Sequence, residues 1–201
     1  MKTLHENTAV LILAGGQSQR AETIKGLRQF NDKYWIDVQI DYFKSHGIKS
    51  IFVGLGYDHL LYIKRSKNLK RCFYTINSNP HHGSFSTLQN TLIKALEQEW
   101  NRIVIIHIDH ALPKPSTLTE LLAHHDYAVI KPTNDNVSGH PIVLSRDFCK
   151  ILINQSFSSQ LNTQIRKLNV SQILWVKVND KNIHENFNTK EKWDTYNNNS
   201  K

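Results

Sequence analysis

The sequence predicts an α/β domain with a mostly parallel mixed sheet flanked by helices, and three observations carry that expectation. Thr8 to Ala14 is a continuous apolar run that stops at Gly15-Gly16, the pattern of a strand buried on both faces that feeds a glycine loop. β-branched runs such as Ile103 to Ile106 alternate along the chain with segments whose apolar residues recur at helical spacing. No internal repeat or long linker interrupts the 201 residues, a length that suits one domain burying roughly 70% of the surface its unfolded chain would expose.

Taken in order, the elements follow from local pattern. After the first strand and its loop, Ile36, Val38, Ile40, Tyr42 and Phe43 precede His46-Gly47, which predicts a helix closed by a glycine C-cap. Ile48 to Leu55 is the next strand, Asp58 to Lys64 a helix, and Cys72 to Ile76 a third strand leading into the turn-rich segment Asn77 to Gly83. Phe85, Leu88, Leu92, Ala95 and Leu96 share one helical face within Phe85 to Trp100. Arg102 to Ile108 is a β-branched strand ending in Asp109, and Pro115-Ser116 opens a helix that runs to Ala123. Strands are expected at Tyr127 to Ile130, Ile142 to Leu144 and Ile173 to Val178, with helices at Arg146 to Asn154 and Gln160 to Leu168. Residues 1–196 form the domain, and the asparagine-rich stretch 197–201 is expected to be a frayed polar tail.

Composition narrows the function. With 25 Lys and Arg against 17 Asp and Glu the net charge is +8, which favours anionic ligands. The one concentration of positive charge, Lys64, Arg65, Lys67, Lys70 and Arg71, has no nucleic-acid motif around it and is expected to be a solvated face, so nucleic acid is an unlikely partner. Cys72 and Cys149 lack zinc or disulfide spacing and are expected to be reduced thiols. The start of the chain has no apolar run of signal-peptide length, and Ala9 to Ala14 is too short to span a bilayer, so a cytoplasmic location without membrane attachment is expected.

Chemistry concentrates where strands end. The segment from Leu13 to Arg20 lacks the Gly-Lys-Ser ending of a P-loop and the third glycine of the dinucleotide fingerprint. It remains a glycine loop in which Leu13, Ala14, Gly15 and Gly16 offer backbone N–H groups at close range, followed by the cations Arg20 and Lys25. Among the 11 histidines, His107-x-Asp109-His110, His81-His82 and His124-His125 carry no zinc-type spacing. On a strand His107 and Asp109 share a face and His110 points elsewhere.

Leu13-Ala14-Gly15-Gly16-Gln17-Ser18-Gln19-Arg20-Ala21-Glu22-Thr23-Ile24-Lys25-Gly26-Leu27 resembles the opening signature of nucleotidyltransferases related to the molybdenum cofactor guanylyl- and cytidylyltransferases, the MobA-like NTP transferase domain. Four further segments are similar to that family in the same order: Asn79-Pro80 through Ser86-Thr87-Leu88, Ile105 through Asp109 and Pro113, Gly139-His140-Pro141, and Asn186-Phe187-Asn188-Thr189. The resemblance implies a single Rossmann-like nucleotidyltransferase domain that transfers a nucleoside monophosphate from a triphosphate, CTP or GTP being favoured, to a phosphorylated acceptor with release of pyrophosphate. It implies that Arg20 and Lys25 are catalytic, that Asn79 and Ser86 join the glycine loop and the two cations in binding nucleotide, and that Asp109 and Asn188 hold Mg²⁺. His140 would face the acceptor, which could be molybdopterin-type, a sugar phosphate or an alcohol phosphate.

The sequence also departs from the family pattern. Ala21-Glu22 replaces Met-Gly, which places a carboxylate between the two cations, and Asn188 stands where Asp is frequent. Lys190 and Lys192 replace Pro and Asp of the closing element. The changes at Lys190 and Lys192 are expected to be structural, whereas Glu22, His110 and Asn188 keep a second expectation open, a catalytically silent nucleotide-binding or regulatory module of the same fold.

Overall fold

The computed structural model describes residues 7–17 and 24–199. Its strands and helices are β1 Thr8–Ala14, β2 Gln29–Phe30, β3 Lys33–Tyr34, α1 Trp35–Ser45, β4 Ser50–Leu55, α2 His59–Arg65, β5 Phe73–Ile76, α3 Ser84–Leu96 and β6 Arg102–His107. The chain continues through α4 Pro115–Leu122, β7 Val129–Asn134, β8 Val137–Ser138, β9 Ile142–Ser145, α5 Arg146–Leu152, α6 Leu161–Ile165, β10 Ile173–Lys177 and α7 Lys190–Asn199.

The main sheet has the order β10-β7-β9-β6-β1-β4-β5, with β8 paired to β7 at one end. β1 lies between β4 and β6, parallel to both, with Val10 opposite Ile51 on one side and Val104 on the other. Only β9 and β8 run against the common direction. The mostly parallel mixed sheet is therefore the expected one. Central position explains the unbroken apolar run of β1: Val10, Ile12 and Ala14 enter one core and Ala9, Leu11 and Leu13 the other. The first core is closed by Trp35, Ile36, Ile40 and Phe43 of α1, the second by Phe85, Leu88 and Leu92 of α3 and by Phe148 and Leu152 of α5.

Some boundaries differ from the sequence expectation for local reasons. α3 begins at Ser84 and stops at Leu96, four residues short of Trp100, whose indole N–H instead donates to the Ala95 carbonyl at 2.7 Å. The strand expected to end at Ile130 runs on to Asn134 and turns back into β8 through Asp135 and Asn136, both at positive φ. Asp and Asn tolerate that conformation and form tight hairpin turns, so the signal was present in the sequence. The tail expected from Asn197 onward is helical as far as Asn199. Trp193 is buried and Tyr196 packs on the rings of Trp35, Phe30 and Phe187, which holds the helix down against its polar composition. The cluster from Lys64 to Arg71 is a solvated face in which all five cations are exposed. Among the described residues no helix is long and apolar enough to cross a membrane.

Candidate active site

Because β1, β4 and β6 are parallel, their carboxyl ends open on one edge, the place where open α/β sheets bind ligands. A cavity of about 220 Å³ lies there, lined by Leu13, Gly15, Gly16 and Gln17 after β1, Lys25, Ser84 and Thr87 of α3, and His107 to Asp109 after β6. Gly15 is required by packing: a Cβ on it would stand 2.6 Å from Oγ1 of Thr87. Among the described residues, nothing lies within 4 Å of a Cβ placed on Gly16. The contact at Gly15 brings the first turn of α3 against the loop, so the positive end of a 13-residue helix faces the cavity and favours an anion there.

Lys25 begins a short 3-10 turn over Lys25–Leu27. Gly26 lets that turn press against Tyr62, whose hydroxyl accepts the Gly26 N–H at 3.2 Å. The Lys25 ammonium donates to Asp109 Oδ2 and to Asn188 Oδ1, both at 2.8 Å. Burial by itself would raise the Asp109 pKa, but the Lys25 hydrogen bond and charge outweigh it and hold the carboxyl below its ordinary value.

Asn188 arrives from a distant part of the chain because its segment is tied to the turn after β6. The Phe187 N–H donates to the Asp109 carbonyl at 2.6 Å, and Ala111 N–H donates to the Glu185 carbonyl at 3.1 Å. Arg28 donates to the Phe187 carbonyl at 3.1 Å, and the Phe187 ring packs among Trp35, Trp193 and Tyr196. Lys190 and Lys192 are exposed in the first turn of α7, away from the cavity wall.

Gly139 is in contact with the turn Lys181–His184: a Cβ on it would meet the Ile183 carbonyl oxygen at 2.3 Å. That contact sets His140, whose N–H donates to the same oxygen at 2.8 Å. His110 does not point away as expected. The chain leaves β6 at His107 and turns, so that the His110 ring centroid lies 5.6 Å from that of His107 and 4.4 Å from that of His140. Gln39 of α1 fixes the turn by donating to the carbonyls of His107 and His110. Burial first, and the neighbouring histidines next, push His140 down to about 2; burial likewise takes His110 down to about 4 and lowers His107. These rings are neutral at pH 7.

Of the residues expected to act, Leu13, Gly15, Gly16, Lys25, Asp109 and Asn188 come together. Ala14 is buried in the core, Asn79 is exposed on the turn before α3, and Ser86 is buried, donating to Gly83 and accepting from Asn77. None of these three lines the cavity; Ser84 and Thr87 occupy that wall, a displacement of one or two residues that helix phase decides. Arg20, Ala21 and Glu22 lie outside the described residues.

Among the described residues no three His, Cys, Asp or Glu side chains form a ready-made metal cluster. The donors present are one carboxylate and one amide oxygen. That set suits a hard divalent cation which completes its shell with phosphate oxygens and water.

A mostly parallel sheet with a glycine loop, a lysine and a strand-end aspartate at its carboxyl edge defines the class, and it is the nucleotidyltransferase fold. The chain belongs to the MobA-like NTP transferase domain family, whose model matches residues 10–170. Solved structures of the same fold include a Mycobacterium tuberculosis Rv0371c homolog from Mycobacterium sp. strain JC1, 16% identical with a TM-score of 0.80 over 97% of both chains. HddC from Yersinia pseudotuberculosis, complexed with GMP-PN, is 14% identical with a TM-score of 0.73 over 96% of this chain and 99% of that one. Rv0371c of Mycobacterium tuberculosis in complex with manganese is 15% identical with a TM-score of 0.74 over 94% of this chain and 97% of that one. No curated protein sequence matches the chain.

Proposed function

We propose that the protein is a metal-dependent nucleotidyltransferase that moves a nucleoside monophosphate from a nucleoside triphosphate to a small phosphorylated acceptor and releases pyrophosphate. The observation that carries the reading is the convergence of Lys25, Asp109 and Asn188 at the rim of the glycine-loop cavity. In this reading the loop N–H groups and the first turn of α3 bind the phosphates, and Lys25 moves from Asp109 to neutralise charge on the triphosphate. Arg20 adds a second cation. Asp109 and Asn188 would hold Mg²⁺, which would offset negative charge on the phosphates. His140 borders the acceptor. The manganese complex of Rv0371c supports a divalent ion in this fold, and the GMP-PN complex of HddC supports a nucleotide. CTP and GTP are the favoured donors, and molybdopterin-type, sugar and alcohol phosphates the candidate acceptors. The free cysteines fit a reducing, cytoplasmic setting.

A thermal-shift series with ATP, GTP, CTP and UTP, each with and without Mg²⁺, tests this directly, because a ligand that binds the folded state raises its apparent stability. A magnesium-dependent shift with one base, followed by pyrophosphate release when an acceptor is added, is the expected result. Binding without turnover over a broad acceptor set would instead favour the silent module that Glu22, His110 and Asn188 keep open. No shift with any nucleotide would sink both.

A further inference from the structure

Among the buried apolar residues of α1, Trp35, Ile36, Ile40 and Phe43, stand two buried polar side chains, Asp37 and Gln39. Asp37 is fully used: it accepts from the Ser66 hydroxyl at 2.6 Å and from the N–H groups of Lys67 and Asn68 at 3.3 Å and 2.9 Å, and so fastens the loop after α2. Gln39 is different. It has no exposed surface, and its amide nitrogen donates to the carbonyls of His107 at 3.3 Å and His110 at 3.1 Å. Its own carbonyl oxygen is buried and has no partner among the described residues. An orphaned amide oxygen costs stability, and an apolar side chain of the same length would fill the position without it. What Gln39 supplies to the fold is its two donors.

Both donors go to one turn. His107 to His110 form a tight turn closed by the His110 N–H on the His107 carbonyl at 3.1 Å, and Asp109 is its third residue. Gln39 therefore clamps the backbone two residues before Asp109 and one residue after it. Two other parts of the chain hold the same turn through backbone groups: the Ile108 N–H donates to the Leu13 carbonyl of β1 at 2.9 Å, and the Asp109 carbonyl accepts from Phe187 in the segment that carries Asn188. Gln39 adds the side-chain contact from α1. The turn is also a shared wall, since His107 borders the glycine-loop cavity and a second cavity of about 330 Å³ whose wall carries His140 and Lys131 of β7.

Resting on the nucleotidyltransferase reading, in which Asp109 is the metal ligand, we propose that Gln39 is a positioning residue that holds the His107–His110 turn so that the Asp109 carboxylate is aimed at the cation beside the nucleotide phosphates. A carboxylate on a clamped turn loses less conformational freedom on capturing an ion than one on a loose turn, and partners that orient a ligand in this way are typically worth about 10–100-fold in metal affinity.

The test compares the full-length wild type with Gln39→Met, which keeps the side-chain length and removes both donors and the orphaned oxygen. Mn²⁺ is the probe, titrated by electron paramagnetic resonance in the presence of a non-hydrolysable analogue of the stabilising nucleotide. Gln39→Met should raise the Kd for Mn²⁺ about tenfold or more and change the metal-free nucleotide affinity by less than about twofold. Its melting temperature should stay within a few degrees of wild type, because the lost hydrogen bonds are offset by removal of the buried oxygen. Gln39→Leu should behave in the same way. A folded Gln39→Met that binds Mn²⁺ as tightly as wild type would overturn the proposal. Collapse of the melting temperature in both variants would overturn it too, by showing that Gln39 serves the fold. Wild-type protein that binds nucleotide but no Mn²⁺ would remove the proposal and leave the nucleotide site standing, whereas absence of nucleotide binding would remove it together with the reading it rests on.

Discussion

Lys25 and Asp109 are 84 positions apart in the chain and meet in a 2.8 Å ion pair at the carboxyl edge of the sheet. The Lys25 hydrogen bond and charge keep the Asp109 carboxyl ionised; in the function proposed above, Asp109 is the metal ligand and Lys25 the phosphate-binding cation.

Removing either member should therefore remove turnover. Lys25→Ala and Asp109→Ala are each expected to lower magnesium-dependent pyrophosphate release by on the order of 10²-fold or more. Stability should respond unequally. Lys25→Ala leaves a mostly buried carboxylate without its cation and should cost about 1 kcal/mol, whereas in Asp109→Ala the ammonium keeps Asn188. Full activity in Asp109→Ala would eliminate the metal role.

The histidine cluster predicts an acid-sensitive fold. His140 is held neutral with its pKa down to about 2, while an unfolded histidine binds a proton below its ordinary value near 6.5. The unfolded state thus takes up more protons as pH falls through that value, and stability declines from about pH 6.5 downward, by at most about 1.4 kcal/mol per pH unit for each such group. Urea denaturation at pH 7.5 and pH 5 should show the loss, and His140→Asn should reduce it. Equal pH dependence in the two proteins would refute the assignment to His140.

Neighbouring glycines should behave differently. Gly15→Ala puts a methyl group against Thr87 and is expected to destabilise the protein by about 1–3 kcal/mol, with partial rescue by Thr87→Ala. Gly16→Ala meets nothing among the described residues, so its melting temperature should stay close to wild type. Any effect of Gly16→Ala is expected in nucleotide affinity, and a large loss of melting temperature would show that the loop packs differently.

Phe187 couples the aromatic cluster to the site. Phe187→Ala should destabilise the protein by about 3 kcal/mol or more and weaken magnesium-dependent nucleotide binding, since the adjacent Asn188 is held by the same segment. A variant folded at low temperature that keeps wild-type nucleotide affinity would show that Asn188 needs no such support.

The sequence by itself determined the strand before the glycine loop, the alternation of strands and helices, and the order of the family segments. Each of these is a local signal: an apolar run of one length, a helical period, or a motif written in consecutive residues. The αL turn at Asp135-Asn136 was equally local and could have been found. What only the tertiary structure decided depends on distance across the fold. Turning at the end of β6 brought His110 back to His107 and His140, helix phase put Ser84 and Thr87 on the cavity where Asn79 and Ser86 were expected, and packing of Trp193 and Tyr196 kept the polar tail helical. Lys131 carries no motif at all. It became legible only when β7 placed a half-buried cation on a cavity wall with no carboxylate among the described residues, because the energetic state of a charge is set by neighbours that the linear sequence does not name.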